Sequence, residues 1–106
     1  MTERVGLLLA ELKVGLTSLY GRRLKSLYLF GSYARGQEEP ESDVDVLIVL
    51  DELGDYGAEL DRTSALISKV SLRTGVSVSR VFVPFREWVK SEDSFLVTVR
   101  EEAIPV

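Results

Sequence analysis

Gly31-Ser32-Tyr33-Ala34-Arg35-Gly36, then the polar stretch Gln37–Ser42, then Asp43-Val44-Asp45-Val46-Leu47-Ile48-Val49-Leu50 is the part of this chain that decides how the rest is read. Residues i and i+2 of a strand project from one face, roughly 6.6 Å apart along the backbone. Asp43 and Asp45 at the mouth of an apolar strand can therefore converge on one metal, or bracket two that lie about 3.5–4 Å apart. Ionised side by side they repel, so the pair asks for a cation or for solvent at the strand end. Upstream, Gly31 lets the main chain approach a ligand closely. Ser32 adds a hydroxyl and, if it opens a helix, free N–H groups aimed at an anion. Arg35 is placed to reach phosphates or to pair with the acidic loop residues Glu38, Glu39 and Glu41. Taken singly, a Gly-Ser pair is an ordinary turn and an Asp-x-Asp a solvated strand start.

Outward from this stretch the chain alternates helices and strands. Upstream, residues Thr2 to Tyr20 carry Val5, Leu8, Leu9, Leu12, Leu16 and Leu19 at helical spacing, with Thr2 as a cap and Gly21 at the end. Gly15 is a weak point inside that helix. Leu24 to Phe30 is a short strand, and Ser32 to Arg35 a short helix. Asp43 to Leu50 is near-continuously apolar, as in a central strand buried on both faces. After a turn over Asp51 to Gly57, a second long helix runs from Ala58 to Thr74, with Leu60, Ala65, Leu66, Ile67 and Val70 toward the core and Gly75 past its end. Val76 to Val83 is a β-branched strand closed by Pro84. Phe85 to Lys90 forms a short helix, Ser94 caps a last one through Glu102, and Ile104-Pro105-Val106 is a short edge strand or a tail. The short hop between the first two strands leaves no room for a parallel crossover, so they pair antiparallel. The fold class is α+β: a small mixed sheet of about three core strands flanked by helices, one domain over 1–106.

Composition narrows the chemistry. The 106 residues contain no cysteine and no histidine, which removes disulfides, thiolate sites and histidine-based triads. Any metal must sit on oxygen ligands, which favours Mg²⁺ or Mn²⁺. A formal net charge of −4 speaks against broad electrostatic binding to nucleic acid. The basic cluster Arg22-Arg23-Leu24-Lys25 decorates a loop and strand start. No apolar run reaches the ~18 residues of a membrane span and no secretory signal stands out, so a cytoplasmic location is expected.

The pieces together, Gly31-Ser32, the ten residues Tyr33 to Ser42, and Asp43-Val44-Asp45, match the signature of the minimal nucleotidyltransferases of the DNA polymerase β-like superfamily, and the chain resembles that family. The resemblance implies that Gly31 and Ser32 hold nucleotide phosphates and that Asp43 and Asp45 bind Mg²⁺; Arg35 joins the candidate phosphate contacts by its position beside the turn. It implies attack by an acceptor hydroxyl on the α-phosphate of ATP or another NTP, releasing pyrophosphate. Such chemistry needs charge neutralisation and in-line positioning more than a covalent nucleophile. Small members of the family pair with helical HEPN toxins, as antitoxins that modify or bind the toxin, so a HEPN-type partner is expected; a homo-oligomer is the other way to complete an acceptor site.

One part of the pattern is missing. Catalytic relatives carry a third carboxylate on the next core strand, and an ungapped comparison places Ser79 there, with Ser77 on the same face and Arg80 adding a nearby positive charge. Two readings follow: a two-carboxylate enzyme that transfers AMP to a partner protein, or a non-catalytic nucleotide-binding antitoxin or regulatory subunit that acts by contact. Modification of a small molecule is a weaker third, since 106 residues leave no room for an acceptor domain. The apolar Val81–Trp88 and Phe95–Val97 stretches suit an interface, or else Val81, Val83, Trp88 and Leu96 are core.

Overall fold

The computed structural model describes residues 2–106, beginning with the amphipathic helix α1, Glu3–Tyr20, which is capped by the Thr2 side chain accepting from the Val5 N–H. A 3₁₀ turn, Gly21–Arg23, leads into β1, Leu24–Phe30. Then come α2 (Ser32–Arg35), β2 (Val44–Leu50), α3 (Tyr56–Thr74), β3 (Val78–Pro84), α4 (Phe85–Lys90), α5 (Ser94–Glu102) and β4 (Ile104–Pro105). The strands form one mixed sheet in the order β3-β2-β1-β4. β1 runs antiparallel to β2, as the short hop requires, and α3 supplies the crossover that makes β2 and β3 parallel. Of the two readings of the last segment, edge strand or tail, the strand is the one formed: Leu29 pairs with Ile104 and Tyr28 with Pro105.

Strand alternation divides the core in two. Val44, Val46, Ile48 and Leu50 join Leu27, Leu29 and Phe82 beneath α1 and α3, where Val5, Leu8, Leu12, Leu16, Ile67 and Val70 close the layer. Leu47 and Val49 point the other way, toward Val83, Trp88, Leu96 and Val99 of the shorter α4/α5 layer. β2 is thus buried on both faces, as its composition implies. Gly15 has a positive role here. A Cβ on it would meet Leu66 Cδ1 at 2.5 Å, so its absence sets how closely α1 and α3 approach.

Several boundaries differ from the sequence reading. α3 starts two residues earlier, at Tyr56, because the Asp55 carboxylate caps it by accepting from the Ala58 N–H. Asp93, not Ser94, caps α5, accepting from the N–H groups of Phe95 and Leu96. β3 begins at Val78, and Pro84 is its last residue. Leu19 faces solvent and Tyr20 takes the buried place, because the Tyr20 hydroxyl reaches the buried Glu59 carboxylate at 2.7 Å. Ala65 is exposed on the outer side of α3. Val83, Trp88 and Leu96 are core, while Phe85, Val89 and Phe95 remain exposed. Among the described residues no helix is long and apolar enough to cross a membrane.

Candidate nucleotide site

β2 carries Asp45 in register with Phe30 of β1 on one side and with Ser79 of β3 on the other. By alternation Asp45 shares the face of Leu47 and Val49, the α4/α5 face, and Asp43 just ahead of the strand shares it too. The short helices cover the inner half of that face. At its outer end Asp45 is half-buried and Asp43 is exposed.

Phe30 ends β1, and the chain turns at Gly31 with φ +78°, directly under Asp45. A Cβ at Gly31 would lie 2.2 Å from Asp45 Oδ2, so the residue must be glycine for steric as well as conformational reasons. This contact joins the two halves of the motif: the turn and the second aspartate touch. α2 follows at once, and its first internal bond runs from the Arg35 N–H to the Gly31 carbonyl. The N–H groups of Ser32, Tyr33 and Ala34 therefore have no partner within the helix.

Burial is the main influence that raises the pKa of Asp45 above its ordinary value; the charge of Asp43 adds to it, as does that of Glu102, while Arg35 and the hydroxyl of Ser79 pull the other way. The net rise marks a spot where negative charge is gathered and incompletely balanced. That is what an oxygen-ligated divalent cation relieves, so the donor set of Asp43 and Asp45 fits one. Among the described residues no group of three or more acidic side chains is placed to hold a metal ion. Ser79 stands in register beside Asp45, where the ungapped comparison puts the missing carboxylate.

Two expectations are corrected. Arg80 does not add charge to this site: it lies on the opposite face, where its Nε donates to Thr63 Oγ1 at 2.8 Å and its Nη2 to the Leu60 carbonyl at 2.9 Å. Arg35 does not pair with the acidic loop. Its Nη1 donates to Glu102 Oε2 at 2.9 Å and its Nε to Gln37 Oε1 at 3.1 Å. The same Glu102 oxygen accepts from the Gly31 N–H at 2.8 Å. Glu102 is the site residue that sequence reasoning missed. The one signal was its position, since a carboxylate in the last turn of a helix faces the negative end of the dipole.

A Gly-Ser turn packed on Asp45 of β2, in a mixed sheet with this strand order, is the arrangement of a nucleotidyltransferase-type fold. The chain matches the nucleotidyltransferase domain family over residues 9–104 and belongs to it. It is 40% identical over 80 residues to "Putative protein adenylyltransferase MJ0604" of Methanocaldococcus jannaschii, covering 76% of this chain and 67% of that one. A second protein of the same organism, "Putative protein adenylyltransferase MJ0141", is 30% identical over 99 residues, covering 93% and 95%. The fold is also that of a toxin–antitoxin crystal structure with AMP-PNP, at a TM-score of 0.60 and 24% identity over 90% of this chain and 70% of that one. A tri-AMPylated Shewanella oneidensis HEPN toxin in complex with its MNT antitoxin gives a TM-score of 0.51 at 20% identity, over 92% and 68%.

Proposed function

We propose that this chain transfers AMP from ATP to a hydroxyl group of a partner protein, and that the partner is a small helical protein of the HEPN type. The observation that supports the reading is the close approach of Gly31 and Asp45, which brings the Gly-Ser turn and the Asp43/Asp45 pair into one place. Relatives named "Putative protein adenylyltransferase" and the fold shared with a complex of an AMPylated toxin support the choice of nucleotide and acceptor. In this reading Gly31 and Ser32 form the turn that receives the phosphates, Arg35 neutralises their charge, and Asp43 and Asp45 hold Mg²⁺ or Mn²⁺. The cation, when bound, neutralises phosphate charge as the bond to pyrophosphate breaks. The acceptor oxygen forms the new bond to the α-phosphorus, pyrophosphate leaves, and the hydroxyl proton is released. The chain's own task is to keep the turn, Arg35 and the carboxylates in fixed relation, so that attack is in line.

Incubation with labelled ATP, Mg²⁺ and the HEPN-type partner is expected to label the partner, and Asp45→Asn is expected to lower the rate at least about 100-fold, since losing a ligand costs no less than losing the groups behind it. Unchanged transfer in Asp45→Asn sinks the assignment.

Ser79 in the third-carboxylate register favours a second reading, a nucleotide-binding antitoxin that acts by contact. Ser79→Asp separates the two. A gain in transfer supports a weakened enzyme. Neutralisation of the partner by wild type and by Asp45→Asn alike, with no label transferred by any form, supports the contact-only module.

A further inference from the structure

Glu102 sits where the topology sends it. Ile104 is opposite Leu29 in the antiparallel β1/β4 pair. Continuing that register by two residues sets Glu102 opposite Gly31. The segment is pinned from both sides. α5 ends at Glu102 with the Ala103 N–H bonded back to the Val99 carbonyl. Beyond β4, the Val106 N–H donates to the Leu27 carbonyl, and Lys13 Nζ donates to the Val106 carbonyl at 2.8 Å. The Glu102 side chain is mostly shielded, only 15% exposed, whereas that of Arg35 is 46% exposed.

From this position one carboxylate oxygen, Oε2, receives both the Gly31 N–H and Arg35 Nη1. Hydrogen bonds to an ionised acceptor are the stronger kind. With Gln37 Oε1 holding Nε, the guanidinium is fixed from two sides, and Nη2 has no partner among the described residues. Arg35 is thereby set in one orientation with donors to spare, and the backbone at Gly31 is held in its left-handed conformation under Asp45.

We infer that Glu102 is a positioning residue for the nucleotide phosphates: it orders Arg35 and the Gly31 turn from the protein side, leaving Nη2 of Arg35 for the ligand. The inference rests on the nucleotide reading above. It couples the C-terminal helix and strand to the site, because Glu102 is held by both. Gly31 in this arrangement contributes its shape, and its own N–H belongs to Glu102.

The opposite role is chemically available, since a carboxylate on these donors also resembles a phosphate already seated. The two roles predict opposite signs. As a positioning residue, Glu102→Ala weakens Mg²⁺-dependent ATP binding in calorimetry about tenfold, the scale of one charged hydrogen bond, and the Gly31 amide exchanges faster with solvent in the nucleotide-free protein. Glu102→Gln keeps the shape and an acceptor oxygen, so it restores slow exchange at Gly31 and recovers part of the affinity; it also serves if the alanine variant fails to fold. A merely structural role predicts lower melting temperatures with ATP affinity unchanged, and that result overturns the inference. Tighter ATP binding in either variant overturns it as well, making Glu102 a plug. Wild type that binds no ATP ends the nucleotide reading and this inference together; wild type that binds while both variants bind equally well ends the inference alone.

Discussion

The two faces of the sheet are built to different standards. Beneath α1 and α3, helices of 18 and 19 residues cover the strands with buried leucine, isoleucine and valine. On the other face, helices of 6 and 9 residues cover Leu47 and Val49 but leave Asp43 and Asp45 at an open end. The strand composition is shared, since both faces are read from the same β2. What separates them is the length of the helices that pack on each. A long helix commits a face to stability, whereas a short one leaves a shelf on which charged groups can be held without being fully buried.

The largest expected difference is therefore between equal truncations on the two sides. Leu12 is fully buried among side chains of both long helices and the sheet. Leu12→Ala is expected to cost about 3–4 kcal/mol, the range for a leucine whose surroundings cannot collapse. Leu96 is 8% exposed at the rim of the smaller cluster. Leu96→Ala should cost nearer 2 kcal/mol, the low end of that range. Denaturant titration of both variants tests it, and equal costs would break the contrast between the layers.

The stable face also contains a buried charge, Glu59. The Glu59 carboxylate accepts from the Tyr20 hydroxyl at 2.7 Å and from Arg62 Nε at 2.9 Å, with Arg23 Nη2 at 3.6 Å. Burial alone would raise its pKa, but the hydrogen bonds from Tyr20 and Arg62 and the charges of Arg62 and Arg23 outweigh it, so the value falls below the ordinary 4.5. The Tyr20 phenol shifts upward, first by burial and then by its bond to Glu59. A depressed carboxylate pKa adds stability that is present above the unfolded value and lost as pH falls through the folded one. Glu59→Gln is expected to cost about 1–2 kcal/mol at pH 7, the scale of a compromised buried hydrogen bond. Its deficit relative to wild type should shrink below pH 4.5, because wild type loses the same contribution there. A deficit that stays constant down to pH 3 assigns Glu59 a packing role only.

The contrast also explains what could be read from the sequence. The element order was legible because helical and strand periodicity persist through long segments. The antiparallel first pair followed from chain length alone. The Gly-Ser turn and the two aspartates were legible because their partners are near in sequence and their spacing is fixed by one turn and one strand. Ser79 was placed by an ungapped comparison and stands in register with Asp45. Arg80 was put on the wrong side because neighbouring strand residues face opposite ways, and only α3 shows which of them it covers. Leu19 and Tyr20 both fit the stripe of α1, and a contact to Glu59, 39 residues on, chose between them. Glu102 was out of reach, since its link to Gly31 spans 71 residues and depends on a two-residue strand pairing.

The smallest effect expected has the opposite sign to the others. Asp45 is half-buried, and its pKa is raised by burial, by Asp43 and by Glu102. The folded chain then holds that proton more tightly than the unfolded one, so stability falls as pH rises from the ordinary carboxylate value of 3.8 toward the raised one, and stays lower above it. Asp45→Asn removes this penalty. In metal-free buffer the variant is expected to melt slightly above wild type at pH 7, with the gap closing as the pH is lowered below 3.8, where wild type is neutral too. Millimolar Mg²⁺ should raise the melting temperature of wild type and leave that of Asp45→Asn unmoved, by mass action on the folded state alone. A variant that melts below wild type at pH 7 would mean that Asp45 is held for the sake of the fold, and the open end of the short-helix face would lose its claim to be the functional one.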